Sequence, residues 1–154
     1  MTYPEYKKDL QHIHESEAYG LAVFDTAARI SRNADHKEKW LVLKALEKQT
    51  LDRYLHYMQA TGQPVTEPTW WTLKGRAEGA ALGLMPWRLA MKFVRDATGP
   101  FQKRFLRLKR NAEGDDRAFF DYIYAHEKAL ESFAQKELAG DRNSLQAVET
   151  LLGR

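Results

Sequence analysis

The sequence predicts an all-α fold: an antiparallel four-helix bundle with an extra glycine-rich helix in its crossover and a short C-terminal helix. Three observations predict it. Apolar residues recur at helical spacing over three long stretches of the chain. Helix breakers are sparse, five prolines and nine glycines in 154 residues, which leaves too few turn signals for an all-β chain. The break between the first two stretches, at Asn33-Ala34-Asp35, is short enough to fold consecutive helices into an antiparallel hairpin. The length suits one domain over residues 1–154.

The first helix is expected from about Pro4, well placed in a first turn, to Arg32, on the stripe Leu10, His14, Glu17, Leu21, Phe24 and Ala28. Asp35 is then the candidate cap of a second helix, His36 to Ala60, with the stripe Trp40, Leu43, Glu47, Thr50/Leu51, Tyr54 and Met58. Gly62-Gln63-Pro64 stops it and opens a polar loop. A third helix is expected from Thr69 to near Pro86. Its Gly75, Gly79 and Gly83, spaced by four, leave a groove where another backbone can approach. Three helical glycines cost about 1 kcal/mol each against alanine, so a packing or binding gain should offset them. A fourth helix starts at Pro86, breaks at Gly99-Pro100 and resumes to Arg110. A fifth runs from Asp115 to Ala139 and stops at Gly140; Asn143-Ser144 can cap a last short one, Leu145 to Leu152.

Composition excludes several classes of function. The chain has no cysteine, which removes disulfide scaffolds, thiolate metal sites and cysteine nucleophiles. No apolar run is long enough to span a membrane and no secretory h-region opens the chain, so a cytoplasmic location is expected. The usual nucleotide-binding glycine loops, the zincin histidine pair and the G-x-S-x-G elbow are all missing. The net charge of +3 is uneven. Residues 71–112 carry ten bases and two acids, a net +8, which leaves −5 for the rest.

The acidic remainder holds the candidate site. Glu17, Glu47 and Glu127 each occupy a position where the stripe of its helix calls for an apolar residue. An ionised carboxylate in a core is costly unless it is paired or bound to a cation. Three that converge repel one another, and a divalent metal removes both costs. His14, three residues before Glu17, and His126, beside Glu127, are the imidazoles within reach. The candidate metal ligands are therefore Glu17, Glu47, Glu127, His126 and His14. Without a metal, at least one of the glutamates should titrate well above the reference of about 4.3.

ESEAYGLAVFDTAARI, HKEKWLVLKALEKQTLDRYLHYM and YIYAHEKALESFAQKELAGD together resemble the ferritin-like superfamily, in particular its rubrerythrin-like and small bacterial members. The resemblance implies a di-iron pattern of one Glu, a Glu-x-x-His, a second lone Glu and a second Glu-x-x-His on successive bundle helices. Glu17, Glu47 and Glu127 match three of these positions. Thr50 and Leu130 stand where the two histidines belong, and the 86–110 helix offers only Asp96. The resemblance thus implies a residual or altered carboxylate site, with iron or manganese weakly held or absent, and no oxidase turnover near that of an intact di-iron protein.

Two surfaces give alternatives. WWTLKGRAEGAALGLMPW is similar to the small-residue helix of demethoxyubiquinone hydroxylase-type members, which implies contact with a membrane and a lipid-like quinone. Close helix packing is the preferred explanation of the same residues, and peripheral membrane contact is not expected. KRFLRLKR, residues 103–110, could track phosphates or an anionic surface. An amphipathic bundle helix with a solvated cationic face is preferred there, and a nucleic-acid partner is not expected. Three readings stand side by side: a bundle with a metal-binding or oxidative carboxylate site, a non-catalytic bundle for a protein partner or hydrophobic ligand, and a binder of anionic surfaces. A homo-oligomer is compatible with each.

Overall fold

The computed structural model describes residues 3–154. It is all-helical, with no strand among the described residues. The six helices are α1 (Tyr6–Ile30), α2 (Ala34–Ala60), α3 (Thr69–Leu84), α4 (Trp87–Asn111), α5 (Asp116–Leu138) and α6 (Gln146–Leu152). None of the described helices is long and apolar enough to cross a membrane.

Local chemistry moves several expected boundaries. Pro4 lies in a turn before α1 rather than in its first turn. The cap of α2 is Asn33, not Asp35: its backbone is extended, and Oδ1 accepts the His36 N–H at 3.0 Å. No side chain caps α6 at Asn143 or Ser144; the Asn143 carbonyl accepts the Gln146 N–H instead. The break expected at Gly99-Pro100 is absent, and α4 runs through it. Proline removes one hydrogen bond, to the carbonyl of Asp96. Both Asp96 and Pro100 lie on the exposed side, where water can take that carbonyl, while Val94, Thr98 and Phe105 stay anchored in the core.

The pairs α1–α2 and α4–α5 pack along their lengths, α1 also touches α4, and α2 touches α5. α6 lies against α5 and α2. The 103–110 segment is the end of α4, with Phe105 and Leu108 in the core. Arg107 reaches across to α1, where it donates two 2.7 Å hydrogen bonds to the buried Asp9. Lys109 lies 3.7 Å from Asp121 of α5. Two of the five charges of that segment are thus engaged within the bundle.

α3 packs on α1, and its glycines explain how. Gly75 lies against the Tyr19 carbonyl, Gly79 against Val23 and Gly83 against Ala27. Contacts advance by four residues on both helices, so α3 and α1 run parallel. A Cβ on Gly79 would sit 2.4 Å from the Val23 carbonyl oxygen, so only glycine lets the backbones meet. The opposite face of α3 is apolar and exposed, with Trp70 and Leu84 each 69% accessible and Leu73 beside them.

The apolar core is in two pieces. One holds Phe24, Trp40, Leu43, Met91, Leu130 and Phe133. The other holds Leu10, Ile13, Tyr54, Phe105, Phe120 and Ile123. On α1, α2 and α5 the side chains between the two pieces are Glu17, Glu47, Thr50, His126 and Glu127, all buried. A polar layer therefore crosses the bundle at mid-height.

Candidate metal centre

Each carboxylate reaches this layer because its helix puts it on the inner face. On α1 that face reads Ile13, Glu17, Gly20, Phe24, with spacings of four, three and four. This register differs from the expected one by one side-chain position. Leu21 is only partly buried. His14 is buried, but its ring lies tilted against Tyr54, with centroids 5.2 Å apart, and its polar surroundings are Glu15 and, in the loop before α3, Thr66 and Glu67. Burial holds its pKa below the ordinary histidine value.

The structure brings together Glu17, Glu47 and His126. One ligand atom from each lies within 4.8 Å of the others. His126 Nε2 is 3.3 Å from Glu47 Oε1 and 3.6 Å from Glu17 Oε2. Glu127 borders the same space from α5, where its Oε1 accepts the Ser16 hydroxyl at 3.2 Å. Thus three of the five candidate ligands converge, Glu127 borders them, and His14 lies apart.

The electrostatics of the layer follow from burial. Desolvation pushes the Glu17 carboxyl well above the usual carboxylate range, and the charge of Glu47 pushes it further. Desolvation also raises Glu127, to about 7, against the lowering effect of His126. Burial is the strongest single influence on the His126 ring and pushes it down, but the charge and hydrogen bond of Glu47 and the charge of Glu127 together outweigh it and leave the ring raised. Both Glu17 oxygens and Glu47 Oε2 are buried with no hydrogen-bond donor among the described residues. A proton on Glu17, shared with Glu47, relieves part of that deficit. A cation or a bound water at the same point would relieve more of it.

Gly20 makes the layer possible. A Cβ there would lie 2.6 Å from Glu47 Cδ and Oε1, so the glycine leaves the space the carboxylate fills. The reading of stripes passed over it, although a mid-helix glycine three residues after Glu17 was its signal. Thr50, expected as a lost ligand, instead bonds the ring of His126 through Oγ1 and Nδ1. The imidazole that faces the two carboxylates comes from α5, at His126, one residue before Glu127.

On the α4 side the layer meets a cavity of about 40 Å³. That exceeds the roughly 10–15 Å³ a single water needs. Phe24, Leu82, Val94 and Phe101 line it, and Glu47 and Glu127 form its polar end. Comparison with protein-family models, with curated proteins and with solved structures gives no match to this chain.

Proposed function

We propose that this chain is a ferritin-like four-helix bundle that holds one divalent cation, iron or manganese, in a metal-binding or oxidative role. The bundle is α1, α2, α4 and α5, with α3 as an extra helix in the crossover and α6 as the short C-terminal one. The observation that carries the reading is the set of donorless oxygens on Glu17 and Glu47 beside the Nε2 of His126, all buried. A proton, a bound water or a cation can satisfy such a set, and of these a cation also takes the imidazole nitrogen as a ligand.

The residues fit one ion. Glu17, Glu47 and His126 would be its protein ligands, with Glu127 bordering the same space. A mixed carboxylate–imidazole set suits manganese and ferrous iron. They do not fit two ions, because α4 faces the layer with Val94, Thr98 and Phe101 and brings no carboxylate. A bound ion would supply Lewis acidity and one-electron chemistry. Around it Gly20 clears room for Glu47, Ser16 orients Glu127, and the apolar cavity admits a small neutral molecule while limiting water.

Protein purified from manganese- or iron-supplemented cells should carry up to one ion per chain, and Glu47→Ala should carry none. Metal-free wild type that takes up no cation in vitro would defeat the reading. Gly20→Ala separates site from scaffold. It should keep the helix, with a propensity gain of up to about 1 kcal/mol, while its Cβ displaces the Glu47 carboxylate. Titration with manganese should show at least tenfold weaker binding at nearly unchanged melting temperature. Equal affinity would mean that Glu47 is not held against Gly20.

A second reading, a protein partner or hydrophobic surface docked on α3, is favoured by the exposed Trp70, Leu73 and Leu84. It predicts that Trp70→Ser and Leu84→Ser abolish association and leave cation uptake intact.

A further inference from the structure

We propose that Thr50, Tyr122 and Gln49 are positioning residues of the cation site, forming a hydrogen-bonded chain that fixes the His126 ring and is anchored on the backbone of α6. The proposal rests on the cation reading above and adds to it what holds the nitrogen ligand in place.

His126 is fully buried, and its ring has to present Nε2 to Glu17 and Glu47. Which nitrogen faces the site is set by the bond the other one makes. Nδ1 bonds the Thr50 hydroxyl. A hydroxyl by itself is a free rotor that can serve either direction. Here it is held by Tyr122, whose OH lies 2.8 Å from Thr50 Oγ1. Tyr122 is held in turn: Gln49 Nε2 donates to its oxygen at 2.9 Å and to the Leu151 carbonyl of α6 at 2.8 Å. The guanidinium of Arg53 lies 4.1 Å over the Tyr122 ring.

Sequence spacing builds this chain. Gln49 and Thr50 are neighbours on α2, while Tyr122 and His126 are one turn apart on α5. α6 closes the chain through its last turn, at Leu151.

Proton direction makes the chain suited to a cation. With Nε2 bound to a metal ion, the ring proton lies on Nδ1 and is donated to Thr50. Thr50 then donates to the oxygen of Tyr122. That oxygen already accepts from Gln49, so Tyr122 donates outward, into the groove it shares with Asp52, His56 and Tyr57. The ring N–H, the Thr50 hydroxyl and the Gln49 amide N–H groups then each have an acceptor within the chain. A valine at position 50 would keep the shape of threonine and break the chain at its middle.

The test uses the full chain and cobalt(II), whose absorption spectrum reports a nitrogen ligand. Wild type should bind it with an imidazole-containing spectrum. Thr50→Val and Tyr122→Phe should bind about 10–100-fold more weakly, with an altered spectrum. Thr50→Ser, which keeps the hydroxyl, should restore wild-type affinity and spectrum. If Thr50→Val does not fold, Tyr122→Phe and Gln49→Met decide on the same two readouts. Unchanged affinity and spectrum in these variants would overturn the proposal and leave the cation site standing. Wild type that binds no cobalt or manganese would overturn both. Weakening in Thr50→Ser equal to that in Thr50→Val would assign the effect to packing and also overturn it.

Discussion

Replacing Gly79 by leucine will detach α3 from α1. The atoms a side chain would meet are backbone: the Val23 carbonyl oxygen 2.4 Å from the Cβ position and the Val23 Cα at 2.9 Å. A flexible side chain could move aside, but α1 cannot, because its other face carries Phe24 and Ala27 in the core. The helix gains propensity from the loss of glycine, about 1 kcal/mol, and loses the whole α1–α3 contact to overpacking. A net loss of about 2–4 kcal/mol is expected, a fall of roughly 5–15 °C in melting temperature for a domain of this size. Ala77→Leu, on the exposed side of the same helix, is the control and should change stability little. Thermal unfolding followed by circular dichroism decides it. Equal melting temperatures for the Gly79 variant and wild type would mean that α3 does not depend on this contact.

The glycine repeat shows what was legible in the sequence. Spacing by four on one helix face, at a known cost in propensity, already required a close-packed partner. Which partner it was could not be read, because any helix with small residues would serve. Ala22 and Ala27 of α1 are not distinguishable in sequence from other alanines. The three buried glutamates were legible for the same kind of reason: a charged residue on an apolar stripe conflicts with its surroundings. His14 shows where such reasoning fails. On α1, positions 14 and 13 both continue a helical stripe to 17, and they differ by one residue's rotation. The choice between them depends on what fills the space opposite, and the ring of Tyr54 does so. Thr50 failed in the opposite sense. A ligand pattern treats each helix separately, so it does not register that Thr50 on α2 bonds a histidine presented by α5. Tyr122, Gln49 and Ser16 carried no signal, since polar residues on partly buried faces are common and their roles depend on contacts between helices. The continuity of α4 through Pro100 was hidden because proline's cost depends on whether the freed carbonyl faces water.

In the metal-free protein, stability will fall as pH rises from about 5 to 8, the reverse of what ordinary acid denaturation gives. The sign follows from the raised carboxyls. A glutamate in the unfolded chain ionises near 4.5, while Glu127 in the bundle holds its proton to about 7 and Glu17 to well above the usual range. Below 4.5 both states are protonated and no penalty arises. Between 4.5 and 7 the unfolded state ionises freely and the folded state does not, so its advantage is lost across that window. For Glu127 alone this amounts to about 2–4 kcal/mol, at 1.36 kcal/mol per pKa unit. His126 acts in the same direction: its raised pKa adds stability at low pH that disappears as the ring deprotonates. His14 and His36, both lowered by burial, act in the opposite direction below about 6.5. The comparison therefore needs Glu17→Gln and Glu127→Gln, which remove only the carboxyl contribution and should flatten the fall. Manganese should invert the dependence. It competes with protons for Glu17, Glu47 and His126, so it binds more tightly as pH rises. At a hundredfold excess over its dissociation constant it adds about 2.7 kcal/mol. Melting curves at pH 5 and pH 8, each with chelator or with manganese, provide the check. Wild-type and Gln-variant curves that coincide in chelator would place the glutamates in water. Curves that coincide with and without manganese at pH 8 would leave the layer to protons alone.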